Sequence, residues 1–256
     1  MGILDKVMNK FTQNNATLKK TCGAIILAAG ASSRMELADS NSKQFLMING
    51  DPMIALTLLA FEKAAAIDEI VVVARCEDFA AISDIAREYN ISKLKNIVAG
   101  GETRFDSSLH GVLEFSDRCE YLAVHDGARP FVSQRIINDT VASAKKYGAA
   151  VPGIIPHDTI KEVGADGFVL KTHDRSRLRQ IQTPQTFEAK LLLSALLKTR
   201  GKKFIITDDA LAVEMLGKRV AVIEGDAQNI KVTTMNDIRL AESSFQKSKH
   251  FEGDEL

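Results

Sequence analysis

Five short runs, Ala24 to Leu27, Glu69 to Ala74, Asn96 to Ala99, Tyr121 to Val124 and Ala149 to Ile154, are apolar almost throughout rather than at every second residue. A strand with one wet face alternates, whereas a strand covered on both faces does not. Between these runs lie segments with helical spacing: Pro52 to Ala66, Phe79 to Tyr89, Gly100 to Phe115 and Ser133 to Tyr147. Strands alternating with helices, both strand faces buried, predict an α/β fold: a doubly wound, mostly parallel sheet covered by helices. Such sheets take ligands at the carboxyl ends of their strands, which brings Gly30, Gly100 and Asp126 to one rim.

The first run feeds a stretch with chemistry in it, GAIILAAGASSRMELADSNSKQF from Gly23 to Phe45. The turn Ala28-Ala29-Gly30 has almost no side chains, so backbone N–H groups can approach an anion. Arg34 and Lys43 follow to neutralise its charge. The stretch contains neither GxxxxGK[ST] nor GxGxxG, so it is neither of the two common phosphate loops. A plain strand and turn with basic residues on the surface is the competing reading.

The alternation breaks between Ile155 and Thr183. Thr159 to Lys161 and Phe168 to Leu170, separated by Val163-Gly-Ala-Asp-Gly-Phe168, predict a hairpin with largely polar faces, an arm over about 155–180. Helices near Glu188 to Leu197, Asp208 to Leu216 and Met235 to Ser244 and a strand Val220 to Ile223 complete the chain. One domain over 21–245 is expected, with an extension over 1–20 and a tail over 246–256. Thr207-Asp208-Asp209 reads as a helix N-cap with acids at the positive helix end; a second role near a metal is the alternative.

The 33 basic residues equal the 33 acidic ones. Overall charge therefore argues for neither nucleic acid nor a membrane surface as partner. No stretch reaches the roughly 18 apolar residues of a membrane span. Three cysteines, far apart and without a CxxC, suit free thiols in a reducing cytoplasm.

Taken together, the motifs ILAAGASSRM-x8-KQF, GGETRFDS, VHDGARP, DTI, THDR, QTPQTF, TDDA and NIKVTT resemble one family from about Gly23 to Glu242. It is that of the 2-C-methyl-D-erythritol 4-phosphate cytidylyltransferases. The resemblance implies a nucleotidyltransferase-type Rossmann-like fold with a projecting β-arm. It also implies a reaction of CTP with a sugar-alcohol phosphate to a CDP-alcohol and pyrophosphate, with Mg²⁺ bridging the CTP phosphates. By the same resemblance, Arg34, Lys43 and Lys231 are the cations on the triphosphate and at the α-phosphorus. Ala28, Ala29 and Gly30 offer backbone groups, and Gly101, Glu102 and Ser107 read the cytosine edge, with Arg104 bracing them. Asp126 stands at the ribose, metal and acceptor side, with Arg129 in the same loop. Thr159 and Arg175 are arm residues that reach across a homodimer into the partner's site.

The sequence departs from the family pattern at Ser42, where Pro is frequent, and at Glu102, which bears on base selectivity. His125 and His173 are expected to be structural, because transfer from an ionised phosphate needs no imidazole. A cytidylyltransferase for ribitol 5-phosphate, a sugar-1-phosphate nucleotidyltransferase and a catalytically silent nucleotide-binding scaffold are the alternative readings.

Overall fold

The computed structural model describes residues 21–30, 42–115, 119–200, 206–234 and 236–239. Five strands, β1 (Thr21–Leu27), β4 (Glu69–Ala74), β5 (Leu94–Ala99), β6 (Cys119–Asp126) and β7 (Ala149–Ile154), fall on the five apolar runs. The helices between them are α1 (Met53–Lys63), α2 (Phe79–Glu88), α3 (Arg104–Glu114) and α4 (Gln134–Tyr147). After β7 come β8 (Lys161–Val163), β9 (Val169–Thr172), β10 (Gln180–Ile181), β11 (Gln185–Glu188), α5 (Ala189–Thr199), α6 (Asp209–Glu214) and β12 (Ala221–Glu224). Two short strands ahead of α1, β2 (Met47–Ile48) and β3 (Asp51–Pro52), make a separate antiparallel pair.

β1 pairs parallel with β4 on one side and β6 on the other, and β5 extends the sheet beyond β4. β11 runs antiparallel to both β6 and β7 and lies between them, while β12 pairs parallel with the far side of β7. The eight-stranded sheet is therefore mixed but mostly parallel. Its strand order turns back beside β1, between β1 and β6, the switch point where doubly wound sheets open a crevice.

Each face of the sheet carries its own core. Cys22, Ala24 and Ile26 of β1 pack with Ile54, Leu58 and Phe61 of α1 and with Ile137, Val141 and Ala144 of α4. Ile25 points to the opposite face and joins Leu109 and Val112 of α3, Leu192 and Leu196 of α5 and Val213 of α6. This is the period-two geometry of a strand buried on both sides. A third cluster (Ile48, Met53, Ala128, Val232, Ile238) sits beneath the loop that carries Lys231.

The expected hairpin forms, but about two residues further along than the sequence suggests. β8 and β9 pair Lys161 with Thr172 and Glu162 with Lys171. Thr159 therefore precedes the first strand. The faces are less polar than expected, since Phe168, Val169 and Leu170 are all exposed, Phe168 at 73%. The strands β2, β3, β10 and β11 had not been expected. The last helix is described over 236–239 only; the rest of its expected span, like Arg34 and residues 1–20, lies outside the described residues.

Candidate active site

A cavity of about 380 Å³ opens at the carboxyl ends of β1, β5 and β6. Leu27, Ala29, Gly30, Gly101, Glu102, Thr103, Arg104, Ser107, Asp126 and Ala128 line it, and Lys43, Gln44 and Lys231 close it from the loops. Nine of the residues singled out from the sequence thus meet in one place: Ala29, Gly30, Lys43, Gly101, Glu102, Arg104, Ser107, Asp126 and Lys231. Gln44 and Thr103 join them unforeseen. Glycine at 100 is required by this convergence, because a Cβ there would lie 2.3 Å from the Cβ of Ala29. The two backbone segments that form the cavity floor touch at that point. Ser107, in the first turn of α3, turns its hydroxyl back to accept the Gly101 N–H at 3.1 Å, fixing the small-residue loop. Thr103 caps α3 by accepting the Asp106 N–H at 3.1 Å.

Three cations surround the Asp126 carboxylate. Lys231 Nζ lies 2.8 Å from Oδ2, Arg104 Nε 3.4 Å from Oδ1 and Arg129 Nε 3.7 Å from Oδ2. Burial pushes the carboxyl up, but the charges of Arg104, Lys231 and Arg129 outweigh it and hold Asp126 well below the usual carboxylate range. Arg104 also reaches Asp209, at 2.8 Å. Burial pulls the Arg104 guanidinium down while Asp209 and Asp126 raise it, and the raising prevails.

The loop bearing Lys231 is tied down by groups the sequence motifs named without explaining. Gln182 Nε2 donates to Asp226 O at 2.7 Å, Asn229 Nδ2 to Thr183 O at 2.9 Å and Arg129 Nη1 to Asn229 O at 2.7 Å. Val232 N–H donates to Ala128 O at 2.8 Å. The segment Gln182–Thr183 also braces Asp126, whose N–H donates to Thr183 Oγ1 at 3.1 Å. His125 is fully buried between Thr183 Oγ1 at 3.0 Å and Arg129 O at 3.1 Å. It stands against the ring of Phe61. Burial pushes its pKa down to about 4, so the ring is neutral, and it faces away from the cavity-lining set.

Other expected residues lie outside the cavity lining. Ala28 is fully buried and its N–H donates to Val73 O at 2.7 Å, so that N–H is not on offer to a ligand. Arg129 stands behind Asp126 rather than in the cavity wall. Thr159 and Arg175 are exposed and absent from this chain's cavity lining; Arg175 Nη1 donates to His157 O. Among the described residues no group of three or more His, Cys, Asp or Glu is arranged to hold a metal ion. Asp126 and Glu102 are the carboxylates of the cavity wall. That donor set suits a magnesium ion carried largely by substrate phosphates and not one caged by protein.

A cation-rich crevice at the switch point of a doubly wound sheet, with a small-residue turn on its floor, is the arrangement of an α/β protein that binds a phosphorylated ligand. A family model described as 2-C-methyl-D-erythritol 4-phosphate cytidylyltransferase matches residues 22–247, and the chain belongs to that family. A relative of that name from Clostridium acetobutylicum is 40% identical over 226 residues, 88% of this chain and 97% of its own. One from Bacillus mycoides is 41% identical over 88% of this chain and 98% of its own. The crystal structure of a 4-diphosphocytidyl-2C-methyl-D-erythritol synthase from Anaerococcus prevotii superposes with a TM-score of 0.80 at 31% identity, covering 89% of this chain and 96% of that one. A cytidylyltransferase structure from Thermus thermophilus gives 0.70 at 30% identity, covering 87% and 98%.

Proposed function

We propose that the chain joins CTP to 2-C-methyl-D-erythritol 4-phosphate, forming 4-diphosphocytidyl-2-C-methyl-D-erythritol and pyrophosphate. The observation that carries this is the meeting of Lys43, Lys231, Arg104 and Asp126 around one cavity, in a chain of this family. An oxygen of the acceptor phosphate attacks the α-phosphorus in line. The bond from that phosphorus to the bridging oxygen breaks, and the electron pair leaves with pyrophosphate. The attacking oxygen is already ionised near neutral pH, so the protein's task is to position two anions and stabilise added negative charge. Lys43 and Lys231, with Arg34, supply that charge, and the lack of bulky side chains at Ala29, Gly30 and Gly101 leaves room for the nucleotide. Glu102 and Ser107 face the base. Asp126 orders Lys231, Arg104 and Arg129 and faces the ribose and acceptor side. Magnesium on the CTP phosphates would lower their charge and favour departure of pyrophosphate, and Asp126 is the residue that would hold it from the protein side; chelation by EDTA is expected to stop turnover.

Thr159 and Arg175, exposed and outside this chain's own cavity, serve the acceptor of a second copy in a homodimer, delivered by the β8–β9 hairpin. Cys22, Cys76 and Cys119 form no disulfide, which suits a reducing cytosolic setting. No helix among the described residues is long and apolar enough to cross a membrane.

The test is pyrophosphate release across four nucleoside triphosphates and three acceptors: methylerythritol 4-phosphate, ribitol 5-phosphate and a hexose 1-phosphate. Signal is expected with CTP and methylerythritol phosphate alone. Signal with ribitol phosphate instead overturns the acceptor assignment. Silence throughout, with CTP still bound, would leave a scaffold. Lys43→Ala and Lys231→Ala are each expected to lower turnover by about 10²–10³-fold in the same assay.

A further inference from the structure

Thr207-Asp208-Asp209 opens α6, and the two acids do different work. Asp208 is the cap: Oδ1 accepts the Leu211 N–H at 3.0 Å and Oδ2 accepts from Gln185 Nε2 at 2.8 Å. Gln185 Oε1 in turn accepts the Ala210 N–H at 3.0 Å, so the start of α6 is fastened to β11, the neighbour of β6. Asp209 takes no part in this. It is 1% exposed, and its Oδ2 accepts from Arg104 Nη1 at 2.8 Å, across 105 residues of sequence. The same guanidinium turns its Nε toward Asp126. Arg104 thus spans a carboxylate inside the cavity and one behind it.

We propose that Asp209 is a positioning residue for the nucleotide cavity, acting through Arg104. Arg104 is held at 3.4 Å from Asp126 by one edge, while Asp126 Oδ2 keeps its 2.8 Å contact with Lys231. With Asp209 neutral, the guanidinium has one carboxylate left, and the bidentate geometry it prefers is reached by closing onto Asp126. Both Asp126 oxygens are then engaged, Lys231 is displaced, and the first turn of α3, which carries Ser107, shifts with Arg104. Asp209 touches no substrate in this account; it sets where Arg104 stands.

The proposal rests on the cytidylyltransferase reading, and its test reads CTP binding directly by calorimetry. Asp209→Asn keeps the side chain's size and removes its charge. Weakening of CTP binding by about tenfold is expected, with Asp209→Glu recovering part of it. In an Arg104→Gln background the Asp209→Asn change is expected to add nothing further, because its route of action is gone. CTP affinity equal to wild type in Asp209→Asn overturns the proposal, as does a loss that multiplies with that of Arg104→Gln. Should Asp209→Asn not accumulate in folded form, Asp209→Ser, which also removes the charge, completes the same cycle against Arg104→Gln with the same criteria. Wild-type protein that does not bind CTP overturns both this inference and the functional reading; variants equal to wild type overturn this one alone.

Discussion

Asp126 joins the cations of the cavity into one unit. Removing a buried carboxylate that faces three cations leaves their charge uncompensated. Asp126→Asn is expected to destabilise the fold by about 3–5 kcal/mol, measured by urea unfolding. Its neighbour His125 makes a second prediction. The unfolded chain protonates a histidine near 6.5, while burial holds the folded one at about 4. A base with a depressed folded value binds more protons when unfolded, so stability falls as pH drops from 6.5 to 4, by about 3 kcal/mol over the window. His125→Gln is expected to flatten that part of the stability profile; an unchanged slope would place the effect elsewhere. Much of this was readable at the residue scale. Small residues after a strand, and the family resemblance that carries Lys231 in NIKVT, named the cavity wall. The link from Arg104 to Asp209 was not readable, because nothing in either local stretch records a partner 105 residues away.

Element boundaries were legible where burial on both faces makes a run apolar, as in EIVVVA. β11 escaped because Gln185 and Thr186, though buried, are polar, and their apolar neighbours are too few to set a period. α3 shows how tightly an element is held. Gly111 lies against the sheet, and a Cβ there would stand 2.4 Å from Ile25 Cγ2 and 3.0 Å from Val73 Cγ2. Gly111→Ala gains up to about 1 kcal/mol of helix propensity but forces α3 outward, at a cost of about 1–3 kcal/mol. A lowered Tm is expected, together with weaker CTP binding, since α3 brings Arg104 and Ser107 to the cavity. A Tm above wild type would mean that the helix yields without strain.

For the whole molecule, the division of labour between cavity and hairpin has a direct test. If the hairpin serves a neighbouring copy, Lys43→Ala and Arg175→Ala chains, each inactive alone, are expected to recover about a quarter of wild-type activity when mixed equally. Half of the dimers are then mixed, and each mixed dimer holds one intact site. Verified mixed dimers without activity would return Arg175 to its own chain. On the same proposal a second copy covers the exposed Phe168, Val169 and Leu170 of the hairpin, and their replacement by Ser is expected to shift sedimentation from dimer toward monomer; wild-type protein that sediments as a monomer overturns it.

The place of β11 also bears on how the chain is made. Until Gln185–Glu188 leaves the ribosome, β6 and β7 present facing edges with nothing between them. At roughly 5–20 residues per second, a nascent chain spends seconds with those edges open to other strands. Synthesis cannot finish the sheet in the order in which it supplies the strands, and a chain halted before Gln185 is the form most in need of a chaperone.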